Sequence, residues 1–554
     1  LSLRSRNIGR LQSGQFDVLI LGGGINGAVS AAALAARGAR VALIDRGDFA
    51  GETSSNSSNL AWGGIKYLES GEYLLVNKLC RSRNQLMRAY PSTVREIRFL
   101  ASVENGFRKP PWMLYAGTLL YWLFGRGKTR LPEIMGPSRL KAREPVINTA
   151  ATQAGVEYSD CYLYDNDARF TFNFIRSAMD YDASAANYVE CQELTWTDGF
   201  WHARAQDLES GNTLQIKAKA VINACGPWAD KINQGSGQNT RHRHLFSKGI
   251  HLIVERLTDS NRILTFFASD GRLFFVIPMG PKTCIGTTDT QVESAEAQVS
   301  EADRQFVLDN ANALLNLPRP LTREDIIAER CGVRPLAVSN GEGKQADWVK
   351  LSRKHAIDVN EQQRHLSIFG GKLTDCINVG EEICEIISKL DIDLPYAQRI
   401  WYGEPHKSVY AEYLHQARLM NLDGMTPGSS SEKLTSRLWR RYGASSLELL
   451  EGIRENPSWG ELLIDNAEYL RGEVEMAARR EMVTRLDDFL RRRSKIAQVV
   501  PKDALRDAPG LREACVILFG DRAEEKLAEY LQSQSSEPAS KPTNAEPSTT
   551  EPNG

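Results

Sequence analysis

Residues 16–45 read FDVLILGGGINGAVSAAALAARGARVALID, and this stretch decides the fold. FDVLIL is a short apolar strand. Gly22, Gly24 and Gly27 follow in G-x-G-x-x-G spacing, then the Ala-rich helix AVSAAALAARG, ended by Gly38, and a second strand, ARVALI, closing on Asp45. Strand, glycine turn, helix, strand and terminal acid form a βαβ unit of the dinucleotide-binding kind. Gly22 permits the tight turn, Gly24 lets a pyrophosphate approach the backbone, and Gly27 lets the helix lie close on the strand. Ile25 and Asn26 open the helix, whose free N–H groups and partial positive charge face the pyrophosphate. Asp45 stands where a carboxylate accepts from ribose hydroxyls.

The bulk properties narrow the class. A chain of 554 residues is too long for one simple domain and has room for a large core. A net charge of −1 supplies no field that seeks phosphate backbones, so nucleic acid is excluded as a partner. Nine cysteines, an odd number without C-x-x-C, suit a reducing, cytoplasmic setting rather than disulfides, and the eight histidines show no metal-ligand spacing. Residues 1–15 carry Arg4, Arg6 and Arg10 but no apolar run of the secretory type. WMLYAGTLLYWLF, Trp112–Phe124, falls short of the roughly 20 residues that span a bilayer. It reads either as a buried helix or as one that dips into a membrane surface, with Arg126, Lys128 and Arg130 as headgroup contacts.

Along the chain, a helix is read over 72–104, irregular chain over 151–170, and a helix over FTFNFIRSAMDYDASA. Strand-like alternation fills 187–223 and 245–290. A helix, ADRQFVLDNANALLNL, precedes Pro318, and 366–390 reads strand, glycine turn, long helix. Beyond 400 the segments 408–420, 430–455, 460–472, 475–495 and 510–533 all read as helices. The last residues have no aliphatic side chain beyond Ala and are expected to be disordered. The expected architecture is α/β. A Rossmann-like nucleotide-binding domain (16–80, 151–235 and 355–395) is interleaved with a strand-rich substrate or cap domain (81–150 and 236–354). A helical C-terminal domain (400–533) and a tail (534–554) follow.

Several motifs carry chemistry. TSSNSSNLAWGGIKYLE (53–69) offers Ser54, Ser55, Ser58 and Gly64 to wrap a flat polar ligand. NACGPW (223–228), with Ala224, Gly226 and Trp228, ends a strand on the adenosine side. FGGKLT (369–374) places Gly371, Lys372, Leu373 and Thr374 at a helix start. With GGGINGA, EYSDC (157–161), DNDARF (165–170), KGIHLIV (248–254), IGTTDT (285–290) and GVRPL (332–336), these occur in an order that resembles the FAD-dependent, quinone-linked glycerol-3-phosphate dehydrogenase family, within the D-amino-acid oxidase-like flavoproteins. RLDDFLRRRSKI (485–496) resembles that family's C-terminal domain more loosely.

The resemblance implies oxidation of sn-glycerol 3-phosphate to dihydroxyacetone phosphate, with hydride passing from C2 to FAD N5 and electrons going on to a quinone. It implies His251 as base, Arg334 and Arg353 as clamps for phosphate or alkoxide, and Lys372 as the cation beside the reduced flavin. Lys66, Tyr67 and Thr288 complete the expected substrate contacts. The chain departs from the family's S-K-L-I-H-G-G-L-R-Y-L at Asn59, Trp62 and Lys66. Trp62 cannot form the covalent flavin bond that a histidine could, so noncovalent FAD is expected. Lys66 keeps charge but lacks the bidentate fork. These departures keep open a related oxidase or dehydrogenase of another small hydroxy acid, polyol phosphate or amine. A quinone acceptor implies peripheral contact with the inner face of the membrane, through Trp112–Phe124 or the basic helix 479–495. The sequence leaves the choice between monomer and homodimer open.

Overall fold

In the computed structural model, residues 2–340, 354–428 and 430–535 are described. The first sheet runs Ala356–Asn360, His365–Phe369, Thr213–Asn223, Gln15–Leu21, Val41–Ile44, Ser184–Ala186, and four of the five pairings in this row are parallel. The antiparallel pair Val189–Thr197 and Phe200–Asp207 extends it beside Thr213–Asn223. Helix Ile25–Ala36 lies between this sheet and the helices Asp167–Asp180 and Cys376–Lys389. Its alanines at 31, 32, 33, 35 and 36 are buried, and their small side chains let the two helices and the sheet approach closely.

The second sheet has ten strands and includes Thr290–Val292, His242–Glu255, Lys282–Gly286, Leu273–Met279, Ile263–Phe267, Val94–Glu104, Thr152–Leu163 and Leu60–Ala61 in that order. Ala328–Ser339 pairs along His242–Glu255. The chain enters this sheet and returns to the first one several times, which is the interleaving that the motif order implied.

Four sequence expectations need correction. The helix expected over 72–104 is Tyr73–Ala89 followed by the strand Val94–Glu104; Pro91 stops the helix, since the residues before a proline leave the helical region. The stretch read as irregular contains the twelve-residue strand Thr152–Leu163, which pairs in the second sheet. Its polar residues Glu157 and Asp160 hid it, because both are buried against arginines. In the C-terminal region, helix is absent from most of 460–470, and 481–495 holds a short π-helical turn, Asp488–Arg493, rather than a long helix. The helix read over 170–185 starts earlier, at Asp167 with Asn166 as its cap, and ends at Asp180. The tail beyond 535 lies outside the described residues.

The C-terminal helices are held to the first domain by buried ion pairs. Asp48 accepts from Arg493 through both carboxylate oxygens at 2.8 Å and from Arg492 at 2.7 Å. Burial alone would push the Asp48 carboxyl up, but the two guanidiniums hold it below the ordinary carboxylate range. Arg441 reaches Asp165 at 3.0 Å and Glu473 at 2.8 Å, and Arg169 pairs with Glu481. Removing one partner of such a pair leaves an uncompensated charge. Arg493→Met is therefore expected to cost about 3–5 kcal/mol. A urea midpoint equal to that of the parent protein would mean that Arg492 alone satisfies Asp48.

Candidate active site

The nucleotide cradle is built by backbone proximity. Gly22 has φ +99° and a Cβ there would stand 2.6 Å from the Ala224 carbonyl oxygen; a Cβ on Gly27 would stand 1.8 Å from the carbonyl oxygen of Gly22. Only glycine fits either position. Helix Ile25–Ala36 starts after Gly24 without a cap of its own, and its first N–H, on Ile25, donates to Ser54 Oγ at 3.0 Å. Asp45 accepts from the Gly23 N–H at 2.6 Å and the Gly47 N–H at 2.8 Å. Burial pushes its pKa up to about 6 against those two bonds. On the far side, Ala224 donates its N–H to Leu21, Gly226 adopts φ +54°, and the Arg46 guanidinium lies 3.9 Å from the centre of the Trp228 ring, whose buried N–H has no partner among the described residues. A Cβ-free turn at a helix N-terminus, a carboxylate at the strand end and an orphan indole N–H fit the pyrophosphate, ribose and adenine end of FAD.

Two motifs then meet. Asn26 donates to the Gly370 carbonyl at 3.0 Å, tying the FGGKLT turn to the cradle. Gly371 has φ +109°, and the short turn Leu373–Asp375 follows Lys372. The Thr374 hydroxyl donates to the Trp62 carbonyl at 3.2 Å. Lys372 Nζ sits 4.2 Å from the centre of the Tyr67 ring and 5.7 Å from that of Trp62. Lys66 is on the neighbouring turn Ile65–Leu68, its Nζ 5.8 Å from the Tyr67 ring centre. Gly64, in the left-handed region with φ +77°, lets this turn fold back, since a Cβ would strike the Tyr67 ring at 2.7 Å. Behind it, Asp160 accepts from the Gly63 N–H, the Tyr121 hydroxyl and Arg83.

The third group lies on paired strands. His251 is buried, and its Nε2 is 3.0 Å from Ser58 Oγ. Burial first, then the charges of Arg330 and Arg334, push its pKa down to about 3. Arg334 lies over Gly249, where a Cβ would stand 2.1 Å from the guanidinium, so a side chain there would displace the guanidinium. Its nitrogens reach Thr287 Oγ1 at 3.0 Å, Asp289 Oδ1 at 3.3 Å and the Thr288 carbonyl at 3.4 Å. Thr288 is buried and its hydroxyl accepts from the Ile250 N–H at 3.0 Å. Ser55 is buried with its hydroxyl donating to Glu52 O at 3.1 Å within its own turn. Arg353 lies outside the described residues.

Sequence reading missed Arg330. It is 1% exposed, stands opposite His251 on the adjacent strand, and donates to Ser57 O at 2.8 Å and Asn59 Oδ1 at 3.1 Å. The signal was available: positions 330, 332 and 334 share one face of a strand, so a cation at 330 belongs beside Arg334. Asp167, which accepts the Ser57 N–H at 2.9 Å, was quoted within a motif without a role.

Two outcomes follow from this geometry. Gly27→Ala forces its Cβ onto the Gly22 carbonyl, and the purified protein is expected to lack flavin absorbance; a full complement of flavin would remove the close contact from the cradle. His355 beside the FGGKLT turn pairs with Asp375 at 3.2 Å and Glu382 at 2.8 Å. Burial lowers its pKa, but the two carboxylates outweigh that and raise it to about 9. A folded-state pKa above the unfolded value stabilises the protein fully below about pH 6.5, and this contribution is lost as pH rises through 9. The melting temperature should therefore fall between pH 7 and 10, and His355→Gln should flatten that fall.

The family described as FAD dependent oxidoreductase matches residues 17–350, and the C-terminal domain of alpha-glycerophosphate oxidase matches residues 402–546. The glycerol-3-phosphate dehydrogenase of Pseudomonas aeruginosa is 31% identical over 496 residues, covering 87% of this chain and 92% of the relative. The aerobic glycerol-3-phosphate dehydrogenase of Escherichia coli is 29% identical over 499 residues, covering 86% and 93%. The crystal structure of the Bacillus halodurans glycerol-3-phosphate dehydrogenase complexed with FAD has the same fold, with a TM-score of 0.70 at 22% identity over 96% of this chain and 97% of that one. The chain belongs to the FAD-dependent glycerol-3-phosphate dehydrogenase family.

Proposed function

We propose that the chain oxidises sn-glycerol 3-phosphate to dihydroxyacetone phosphate with noncovalently held FAD. The observation that carries this reading is the placement of a buried imidazole, His251, on a strand whose partner carries the Arg334 guanidinium four register positions along, its charge acting on that ring, with the Ser58 segment beside them. Relatives of about 30% identity, named for this activity, support it. When bound, FAD supplies the two-electron acceptor. Trp62, standing where a covalent flavin link would need histidine, supports noncovalent binding. Arg334 binds the substrate's phosphate or nascent alkoxide, assisted by Lys66, Tyr67, Thr288 and Arg353. Lys372 supplies positive charge to the cofactor's N1–C2 edge.

His251 takes the C2 hydroxyl proton. Its depressed pKa keeps the ring unprotonated at neutral pH, so it enters the reaction as an acceptor. A phosphate dianion on Arg334 offsets one of the charges that depress it, so bound substrate raises its basicity. Anaerobic addition of sn-glycerol 3-phosphate should bleach the flavin; a persistent oxidised spectrum would reject this substrate and turn attention to other hydroxy acids, polyol phosphates and amines. His251→Ala should slow that bleaching by about 10²–10⁴-fold with FAD retained. Arg334→Ala removes a charge-assisted bond and should lower kcat/KM by about ten- to a hundredfold. Unchanged kinetics in either variant would remove that residue from the scheme.

Electrons then pass to a membrane quinone, the protein acting as a peripheral protein on the inner face. No helix among the described residues is long and apolar enough to cross a membrane. Helix Pro111–Phe124 supports surface contact instead. Only Thr118 and Tyr121 are buried in it, while Trp112 is 64% and Leu123 60% exposed. Arg108 bonds Glu69 at 2.7 Å, which brings the start of this helix near that of Tyr73–Ala89, where Leu74 is 87% exposed. Apolar side chains followed by Arg126, Lys128 and Arg130 suit an anionic lipid surface. A Trp112→Glu, Leu123→Glu double variant should lose co-sedimentation with anionic vesicles; undiminished sedimentation would exclude this helix as the contact.

A further inference from the structure

We propose that Arg330, clamped by Gln498 of the C-terminal domain, is a positioning residue for His251: it fixes the Ser57–Asn59 turn that seats the imidazole. The proposal rests on the reading of His251 as the proton acceptor, and it adds a residue pair and a domain to that reading.

The turn is held at both residues that flank Ser58. The Ser57 N–H donates to Asp167 and the Ser57 carbonyl accepts from Arg330 Nη1 at 2.8 Å. The same Nη1 donates to Asn59 Oδ1 at 3.1 Å. Asn59 adopts φ +56°, a left-handed conformation that asparagine tolerates better than most residues, and its carbonyl accepts from the Leu163 N–H at 2.8 Å. Between these two anchored residues stands Ser58, whose hydroxyl is the one hydrogen-bond partner of the His251 ring among the described residues. A rotation of either peptide would move Ser58 Oγ away from Nε2.

Arg330 in turn depends on the C-terminal domain. Among the described residues no carboxylate pairs with it. Its other terminal nitrogen, Nη2, donates to the side-chain carbonyl of Gln498, which is fully buried. One residue before it, the Glu329 carbonyl accepts from Arg491 Nη2 at 2.7 Å. The strand that carries Arg330 and Arg334 is thus gripped from the C-terminal side at two successive residues. A guanidinium suits this task because its planar fork serves several acceptors at once, which a lysine does only with looser geometry. The charged groups facing His251 are Arg330 and Arg334 from one strand, with Asp289 paired to Arg334. The facing strand Lys282–Gly286 contributes Cys284, a thiol that burial pushes up to about 11 and which is therefore neutral.

The test uses holoenzyme labelled with ¹⁵N-histidine, with the His251 signals assigned through a His251→Gln variant. A ring seated by Ser58 shows one fixed neutral tautomer, its two nitrogens far apart in chemical shift. Arg330→Met and Gln498→Leu should bring those shifts together as the tautomers average. Gln498→Glu, which keeps an acceptor on Arg330, should preserve the fixed tautomer, and Arg330→Lys should fall between. In anaerobic flavin reduction, Arg330→Met should lower the rate at saturating substrate by about ten- to a hundredfold with KM changed far less, as misplacement of a reacting group does. A fixed tautomer and parental reduction rate in flavin-loaded Arg330→Met would overturn the proposal. If that variant does not hold FAD, parental values in both Arg330→Lys and Gln498→Leu would overturn it instead. Failure of sn-glycerol 3-phosphate to reduce the parent enzyme would strike at the substrate reading alone, because the tautomer signature needs no substrate.

Discussion

The segment 53–63 threads between the two sheets, and the site exists because its backbone is held at almost every residue. Thr53 donates to Val333 O at 2.7 Å, on the strand of Arg334, while Ser54 caps the first N–H of the nucleotide-binding helix. Ser57 is fixed by Asp167 and Arg330, Ser58 meets His251, Trp62 O accepts from Thr374, and the Gly63 N–H reaches Asp160. One strand of chain thus sets the spacing between the glycine-rich cradle, the FGGKLT turn and the strands that carry His251 and Arg334. These are short-range, directional contacts, so displacing any one anchor changes the relative position of groups that chemistry requires within a few tenths of an ångström.

The electrostatics follow from the same arrangement. Arg330 and Arg334 both face His251, and neither can escape by losing its proton, because guanidinium stays charged in proteins. The imidazole is the group that yields: in a buried place next to two fixed cations it stays neutral. A site of this kind favours an anionic substrate twice over. An anion's charge is attracted by the cations, and by offsetting them it would raise the basicity of the imidazole. Other buried arginines serve architecture: Arg493 and Arg492 on Asp48, Arg169 on Glu481 and Arg441 on Asp165 fasten the C-terminal helices at the motifs DNDARF and RLDDFLRRRSKI.

Much of this was legible in the chain. The glycines of the cradle could be read because backbone crowding permits no other residue, so geometry writes directly into composition at Gly22 and Gly27. The order of motifs gave the family and the interleaving. The strands Val94–Glu104 and Thr152–Leu163 were not legible, and the reason is physical. Sequence patterning assumes that charged residues face water, whereas Arg98, Glu157 and Asp160 are buried here because they pair with one another or with Arg83. A pair joined across strands leaves no mark on either strand's own periodicity. Arg330 escaped for the same cause, since its partners Ser57, Asn59 and Gln498 are separated from it by more than 150 residues each.

The departures from the family pattern gain a physical meaning from that last residue. Read singly, the change from lysine to Asn59 subtracts a positive charge from the flavin segment. In the folded chain Asn59 Oδ1 receives Arg330, so a cation still stands at this point, delivered from the neighbouring sheet. Asparagine suits the exchange on two counts: it accepts the guanidinium and it adopts the left-handed turn that aims Ser58 at His251. Lys66 differs from the family's arginine by geometry alone, and its neighbour Tyr67 is shared with Lys372, so the local balance of charge around that ring is kept. Trp62 is the change with no such counterweight. Its carbonyl is held by Thr374 and its ring lies 6.3 Å from that of Tyr67, centre to centre, so the indole's bulk is built into the wall beside Lys372. Positive charge therefore still stands at these two places, while the wall beside Lys372 has become larger and less polar.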